Sequence, residues 1–188
     1  MCKLSGKRLI NWKTVFMAVV IILALQGTSM AVQITATWNG GAGNWSNIAN
    51  WDAGVVPNNV VDTYDVRIDN GNGTNSSVTL DMTATIDKLT VDAPDSLNFN
   101  NGQDLTIAGG SVTNNGVISM NSTGTATDLK FNGGTILDGG GKIVMSNNLQ
   151  NRILTNGFTL TQAAGHTIEG AGQLLANIGG MINNGTIR

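Results

Sequence analysis

The chain of 188 residues carries ten basic and twelve acidic side chains, a net charge of −2 at pH 7 with its one histidine neutral. No cluster of basic residues follows the first 13 positions, a pattern that argues against a nucleic-acid or anionic-membrane partner. A single cysteine cannot form an intramolecular disulfide, so stability must come from burial and backbone pairing.

Residues 1–31 have the form of a signal peptide. Four basic side chains precede an unbroken apolar run at 15–25, and Ser29 to Ala31 supply the small residues that a signal peptidase accepts. We predict cleavage after Ala31 and a secreted or cell-surface location; an uncleaved N-terminal anchor is the alternative. Eleven apolar residues are fewer than the roughly 20 that span a bilayer. The mature chain has no cysteine and a net charge of about −6, from six basic and twelve acidic residues.

Residues 32–64 are predicted to form a Trp-rich N-terminal cap. The segment "WNGGAGNWSNIANW" sets Trp38, Trp45 and Trp51 among Gly and Asn, before the first clear strand pattern. A repeat fold needs its first coil covered because the apolar interior otherwise faces water, and three indoles bury a large area. The alternative is a sugar platform, in which the same three indoles stack on the pyranose rings of a glycan and Asn and Asp side chains reach its hydroxyls.

From residue 65 onward the chain contains short segments in which apolar and polar residues alternate, a pattern that predicts half-buried strands. Each segment places two apolar residues on either side of a Thr, Asn, Lys or Arg, and Asn-Gly turns lie between many of them. No helical period follows the leader. The segments are "DVRID" (65–69), "SVTLD" (77–81), "KLTVD" (88–92), "SLNFN" (96–100), "DLTIA" (104–108), "DLKFN" (128–132) and "GFTLT" (157–161).

The spacing of the segments favours an all-β fold of stacked parallel coils, a parallel β-helix or β-solenoid, over 65–188. An antiparallel β-sandwich is the alternative, because Asn-Gly between strands is also a hairpin signal. The apolar residues recur at intervals near 20. The recurrences are Val78 and Leu80 with Leu97 and Phe99 at nineteen residues, Ile86 with Leu105 at nineteen, and Leu105 and Ile107 with Leu129 and Phe131 at twenty-four.

Two short motifs resemble calcium-binding loops, but neither is complete. "GGAGNW" places Asn44 where the calcium nonapeptide has Asp, and it occurs once, whereas that motif works in stacked copies. In "DNGNGTN" (69–75), glycines fall where an EF-hand loop needs oxygen ligands. His166 has no second His or Cys to share a metal and is expected at a turn or on the surface. We therefore predict no metal site and no cofactor.

The acidic residues near the first strand do not predict catalysis. Asp62, Asp65 and Asp69 are close in sequence with Arg67 between them, as a polysaccharide-cleaving site would require. However, Asp65, Arg67 and Asp69 alternate as the outward residues of one strand, so a solvated charge ladder explains them. A single isolated histidine also provides no Ser-His-Asp set. We predict no catalytic residues and no enzymatic activity.

The segments "TWNGGAGNWSNIANWDAGVVPNN" (37–59), "YDVRID" and the recurring "NNGTI" phrase resemble those of large bacterial surface proteins. These are the autotransporter-associated β-strand-repeat and filamentous-haemagglutinin-like proteins, and the resemblance covers essentially the whole mature chain. It implies a right-handed parallel β-helix that is displayed on or released from the cell as an adhesin or surface layer. Such proteins run much longer and carry an anchor, so we expect that this chain is truncated within a repeat at "NNGTIR".

The sequence thus predicts a secreted or surface-displayed structural or adhesive module without catalytic activity. The alternatives are, second, a carbohydrate-binding module that uses the tryptophan cluster and, third, a polysaccharide lyase or hydrolase. The expected partners are a glycan or another cell-surface ligand, and a second chain that pairs with the open end of the solenoid, because an unpaired strand edge invites pairing.

Overall fold

Short parallel strands make up most of the computed structural model, which describes residues 30–69, 71, 73–175 and 179–188. The predicted leader lies almost wholly outside these residues, and Val32–Arg188 forms one unit. The strands are β1 Gln33–Thr37, β2 Ala42–Asn44, β3 Thr63–Ile68, β4 Ser77–Leu80, β5 Ala84–Val91, β6 Ser96–Phe99, β7 Asp104–Asn114, β8 Val117–Met120, β9 Thr127–Phe131, β10 Thr135–Asp138, β11 Lys142–Met145, β12 Asn151–Leu154, β13 Thr159–Gln162, β14 Thr167–Gly170, β15 Gln173–Leu174, β16 Gly180–Asn183 and β17 Thr186–Ile187.

The strands stack into a parallel β-solenoid of about five turns with three faces. The first face contains β1, β3, the second half of β5, the second half of β7, β10, β13 and β16. The second face contains β2, β4, β6, β8, β11, β14 and β17. The third face contains the first halves of β5 and β7, followed by β9, β12 and β15. All of these strand pairs are parallel, so the antiparallel sandwich is wrong.

Two of the three predicted recurrences are confirmed by the strand register. Val78 pairs with Leu97 nineteen residues later, and Leu105 pairs with Leu129 twenty-four residues later. The third recurrence is wrong, because Leu105 pairs with Ala84, and Ile86 pairs with Ile107. Both Ala84 and Ile86 face inward, so the alternation alone cannot decide which of them lies beside Leu105.

Strands β5 and β7 each run through a corner between the third and first faces as one continuous strand. The register of this pair shifts between Ile86 and Lys88, and β7 has Gly109 at the same place. A Cβ on Gly109 would lie 2.6 Å from the backbone oxygen of Asp87, so only glycine permits this close approach. In the sequence, the two glycines at 109–110 suggest a turn. In the structure they lie inside β7, which continues through the corner as one strand.

Most of the interior consists of apolar columns along the axis, as the sequence predicts. On the second face Val78, Leu97, Ile118, Ile143 and Ile168 stack in register, and each is fully buried. Burying one such side chain contributes about 1.5–3 kcal/mol. Stacking the coils therefore supplies the main stabilisation of a chain that has no disulfide.

A second column lines the corner that precedes the second face. Ser76, Asp95, Gly116, Gly141 and His166 each accept a hydrogen bond at the backbone oxygen from an amide of the next coil, over 2.9–3.2 Å. A Cβ on Gly116 would lie 2.2 Å from the oxygen of Asp95, and one on Gly141 would lie 2.3 Å from the oxygen of Gly116. Both positions therefore require glycine, and the polar residues Ser76, Asp95 and His166 lie on either side of them in the column.

The first coil is longer than the others because it contains the tryptophan segment. β1 pairs with β3 as an ordinary rung of the first face, so strand stacking begins within the segment predicted as a cap. Residues 45–62 then form the extra length before β3. Among the described residues no helix has the length and apolar character needed to cross a membrane.

Candidate functional site

The three predicted ligand-binding tryptophans come together, but inside the core. Trp38, Trp45 and Trp51 are 1%, 0% and 2% exposed. The ring of Trp51 packs edge-to-face against both others, with centroids 4.9 Å apart in each case and interplanar angles of 84° to Trp38 and 68° to Trp45. This geometry is favourable for aromatic pairs and leaves no indole face free. It favours the lid interpretation over a sugar platform.

Each indole N–H is used to hold the backbone of the same segment. Trp38 Nε1 donates to the oxygen of Gly41 at 3.1 Å, Trp45 Nε1 to that of Pro57 at 3.1 Å, and Trp51 Nε1 to that of Trp45 at 2.8 Å. Buried indoles require such partners, and here they fix an irregular loop. The segment contributes both apolar area and a set of internal hydrogen bonds.

Local turns explain why Trp45 and Trp51, which are six residues apart, both face inward without a straight strand between them. Ile48–Asn50 forms one turn of 3₁₀ helix, and the Asn47 side chain accepts from the Ala49 amide at 3.1 Å. A bridge between Trp38 and Trp51 closes the segment in antiparallel fashion. A straight strand between Trp45 and Trp51, which a sugar platform would require, is not formed.

A cleft of about 280 Å³ lies beside the tryptophan segment and includes the carboxylates of Asp52 and Asp69. Asp52 Oδ1 accepts from the Thr37 amide at 2.6 Å, and Asp69 Oδ1 accepts from the Gly71 amide at 2.7 Å. These bonds hold the loop ends. In the part of the chain that the structure describes, no three His, Cys, Asp or Glu side chains lie close enough to hold a metal ion.

The carboxylates near the first strand have partners that account for their positions. Asp62 Oδ1 accepts from the Val32 amide at 3.0 Å. Asp65 accepts from the Gln33 side chain at 2.8 Å and pairs with Lys88 Nζ at 2.9 Å. Asp62 and Asp65 thus connect successive coils, whereas Asp69 accepts from the Gly71 amide within its own loop.

Outward side chains of the first face line a shallow cleft of about 180 Å³. We call these side chains the first-face strip. They belong to four successive rungs, on β1, β3, β5 and β7. They are Thr35, Asp65, Arg67, Lys88, Thr90, Ser111 and Thr113.

Sequence reasoning identified only two members of the strip, Asp65 and Arg67. The alternation in "KLTVD" and "GGSVTNN" was the available signal, since it places Thr90, Ser111 and Thr113 opposite the buried residues. The alternation does not say which strand lies beside which, so the strip cannot be assembled without the register.

The third face holds an ion-pair network around a nearly covered carboxylate. The Asp128 side chain is 2% exposed, and Arg152 binds it through two hydrogen bonds of 2.7 Å each. Lys130 lies 3.3 Å from Asp128 and 2.6 Å from Asp104. Burial lowers the pKa of Lys130, but its bonds to both carboxylates outweigh this effect and raise the pKa overall. The cations allow Asp104 and Asp128 to stack in register.

His166 is fully buried, so the expected surface position is wrong, although the residue directly follows the turn at 164–165. Its Nε2 lies 3.1 Å from Asn114 Nδ2, two coils away, across the position of Gly141, which has no side chain. Burial lowers the pKa of His166 to about 4, although the charge of Asp138 acts in the opposite direction. Because Asn114 also donates to the oxygen of Lys142 at 3.1 Å, a neutral ring that accepts at Nε2 fits this contact.

No family model, no curated protein and no solved structure matches this chain.

Proposed function

We propose that the chain is a structural and adhesive β-solenoid module that acts outside the cell. The observation that carries this proposal is the unbroken stack of parallel rungs from β1 to β17, with apolar columns inside and polar side chains outside. Such a stack gives a rigid body whose long faces present regular rows of side chains. The leader pattern at 1–31 supports export, and the resemblance to surface proteins supports a role in adhesion or in a surface layer.

The partners of the acidic side chains support a non-catalytic role. A general acid or base needs an unusual environment and access to a substrate. Asp62 and Asp65 instead bind a backbone amide and a neighbouring lysine, and the carboxylate of Asp128 is covered by Arg152. Each of these acids has a structural explanation.

The last rungs support pairing with another β-chain, which we propose as a second property of the module. Ile187 continues the inward column above Ile168, yet it is 43% exposed, whereas Ile168 is fully buried. A strand that stacks on β17 would cover Ile187. Either a further repeat that follows Arg188 or a second copy of the chain offers strands of the same spacing.

Expression of the full chain with its leader in a bacterial host tests the proposed location. We expect export and an N-terminus at Val32, which sequencing of the exported protein would detect. A protein that stays in the cytoplasm with its leader intact would contradict the proposal.

The non-catalytic, adhesive role is tested with the purified chain. We expect protein-coated beads to adhere to glycan-bearing cells, and we expect no release of reducing ends from acidic or neutral polysaccharides. Measurable release of reducing ends would show that the chain is an enzyme and would contradict the proposal.

A further inference from the structure

Two outward columns of the first face bring side chains of four coils into one strip. In one column Arg67 lies between Thr37 and Thr90, and Thr113 follows. In the adjacent column the residues in register are Thr35, Asp65, Lys88 and Ser111. Rungs of a sheet are spaced by about 4.8 Å, so the strip extends for roughly 14 Å along the axis.

Arg67 differs from every other cation in the described part of the mature chain. Its side chain is exposed, and it forms no ion pair. The other five Lys and Arg residues each pair with at least one carboxylate. They are Lys88 with Asp65, Lys130 with Asp104 and Asp128, Arg152 with Asp128, and Lys142 and Arg188 with Glu169. Among the residues that the structure describes, Arg67 is therefore the guanidinium that is free to bind an external anion.

The groups around Arg67 suit a ligand that is rich in hydroxyl groups. Thr35, Thr90, Ser111 and Thr113 line the same cleft, and each hydroxyl can both donate and accept a hydrogen bond. A guanidinium binds a carboxylate through two parallel hydrogen bonds. The rung spacing is close to the length of one hexopyranose in an extended oligosaccharide, so successive sugars can meet successive rungs.

The local charge favours a ligand with a single negative group over a polyanion. Lys88 and Asp65 neutralise each other, which leaves one positive charge on the strip, and Asp69 lies two residues beyond Arg67. The mature chain as a whole carries about −6, which repels a densely charged polymer. The three indoles that would stack on a neutral sugar are buried in the core.

We propose that the first-face strip binds an oligosaccharide of about three sugar units that carries one carboxylate. Arg67 binds the carboxylate, and the hydroxyls of Thr90, Ser111 and Thr113 bind those of the sugars. This assignment deepens the proposed adhesive function, on which it rests, by naming the ligand class and the surface.

Calorimetric titration of the purified chain with a sialylated trisaccharide tests the assignment, with lactose as the neutral counterpart. We expect Arg67→Gln to weaken binding of the sialylated sugar by about tenfold, a change of about 1.4 kcal/mol. Lys142→Gln is the matched control, because it makes the same charge change on the second face, and it should change Kd less than twofold. Thr90→Val keeps the β-branched shape, removes one hydroxyl and should weaken binding by a few fold.

Three outcomes would overturn the assignment. If Arg67→Gln binds as tightly as the unaltered chain, or if Arg67→Gln and Lys142→Gln weaken binding equally, the strip is not the site. If polygalacturonate binds far more tightly than the sialylated sugar, with a steep salt dependence, the ligand class is wrong. If the chain adheres to cells but binds no carboxylated oligosaccharide at millimolar concentration, the first-face strip is not a binding site for this ligand class, while the proposed adhesive function is retained. Absence of adhesion to any surface would reject the proposed function itself. Thermal unfolding of each variant confirms that it is folded.

Discussion

The interior beside the first coil is filled by three indoles, whereas the interior of the C-terminal coils receives Asn114, Gln162 and His166. Every indole N–H has a hydrogen-bond partner. In contrast, Asn114 Oδ1, Gln162 Oε1 and His166 Nδ1 are buried without a protein partner. A buried polar atom that lacks a partner costs about 1–3 kcal/mol.

One inward column of the first face shows how apolar packing gives way to buried polar side chains along the axis. Ala36, Val66, Leu89, Val112 and Leu137 stack in register, and Gln162 takes the next place in the same column. Gln162 is fully buried and donates to the oxygen of His166 at 2.8 Å and to that of Thr186 at 3.2 Å. One repeat fold thus holds its coils by apolar packing at one end and in part by specific hydrogen bonds at the other. We therefore expect the C-terminal coils to open first.

The largest expected effect is at the N-terminal end. Trp51→Ala removes the ring that contacts both other indoles and should lower the free energy of unfolding by about 3–5 kcal/mol. Urea unfolding followed by circular dichroism measures this change. Val60→Ala is the control, because Val60 is 84% exposed and its truncation should cost less than about 0.5 kcal/mol. Equal effects of the two substitutions would show that the indoles do not hold this end.

The second prediction tests whether charge pairs, and not only packing, hold the coils between the two ends. Arg152→Met keeps much of the side-chain volume and leaves Asp128 covered without its bidentate partner. Loss of one partner of a fully buried pair costs about 3–5 kcal/mol. Since Arg152 is 30% exposed and Lys130 remains, we expect about 2 kcal/mol, measured by urea unfolding.

The double variant Arg152→Met with Asp128→Asn is the matching control. It removes the carboxylate charge that Arg152→Met leaves without its bidentate partner, so it should regain much of the lost stability. If the single substitution costs nothing, the network is not needed for stacking.

Acid should weaken the C-terminal end selectively. The pKa of His166 is about 4 in the folded chain and about 6.5 when unfolded, so the unfolded state binds the proton more readily. The stability of the neutral form is fully present above pH 6.5 and is lost as the pH falls toward 4. We expect about 2 kcal/mol less stability at pH 5 than at pH 7.5.

Hydrogen exchange of the C-terminal amides at the two pH values, after correction for intrinsic rates, would locate the loss. His166→Gln cannot titrate and should show a smaller drop. If the unaltered chain and His166→Gln respond equally to acid, another group is responsible, and the contrast between the ends does not depend on His166.

The smallest expected effect comes from Asp95, which occupies the same corner column as His166. Burial raises the pKa of Asp95, whereas the hydrogen bond from the Ser76 amide, at 2.7 Å, opposes this shift. Because the pKa of Asp95 is higher in the folded chain than in the unfolded chain, the stability that its neutral carboxyl contributes is fully present below the unfolded pKa. That contribution is lost as the pH rises through the folded pKa. Asp95→Asn keeps the acceptor and removes the buried charge, so we expect a gain of less than about 1 kcal/mol at pH 7, measured by urea unfolding. A loss of stability at pH 7 would show that the charge itself is needed at this corner.

The sequence by itself determined the class of fold and seven of the seventeen strands in the described residues, namely β3 to β7, β9 and β13. Alternation identified Val78 and Leu80 as inward residues, and the nineteen-residue interval to Leu97 and Phe99 matched the true register. This works because a strand exposes alternate side chains, so a buried column must repeat its apolar residues coil after coil. The position of the tryptophans before the repeats likewise favoured a buried lid.

Only the tertiary structure decided the contacts between coils. Turns of unequal length change the interval from coil to coil, so the sequence cannot say that Ala84, and not Ile86, lies beside Leu105. The burial of His166 depends on Gly141 and on Asn114 two coils away. The free guanidinium of Arg67 is recognised only once the other described Lys and Arg residues have been assigned their carboxylate partners. Side-chain alternation is a local property of the backbone, whereas burial and charge pairing depend on which residues the stacking brings side by side.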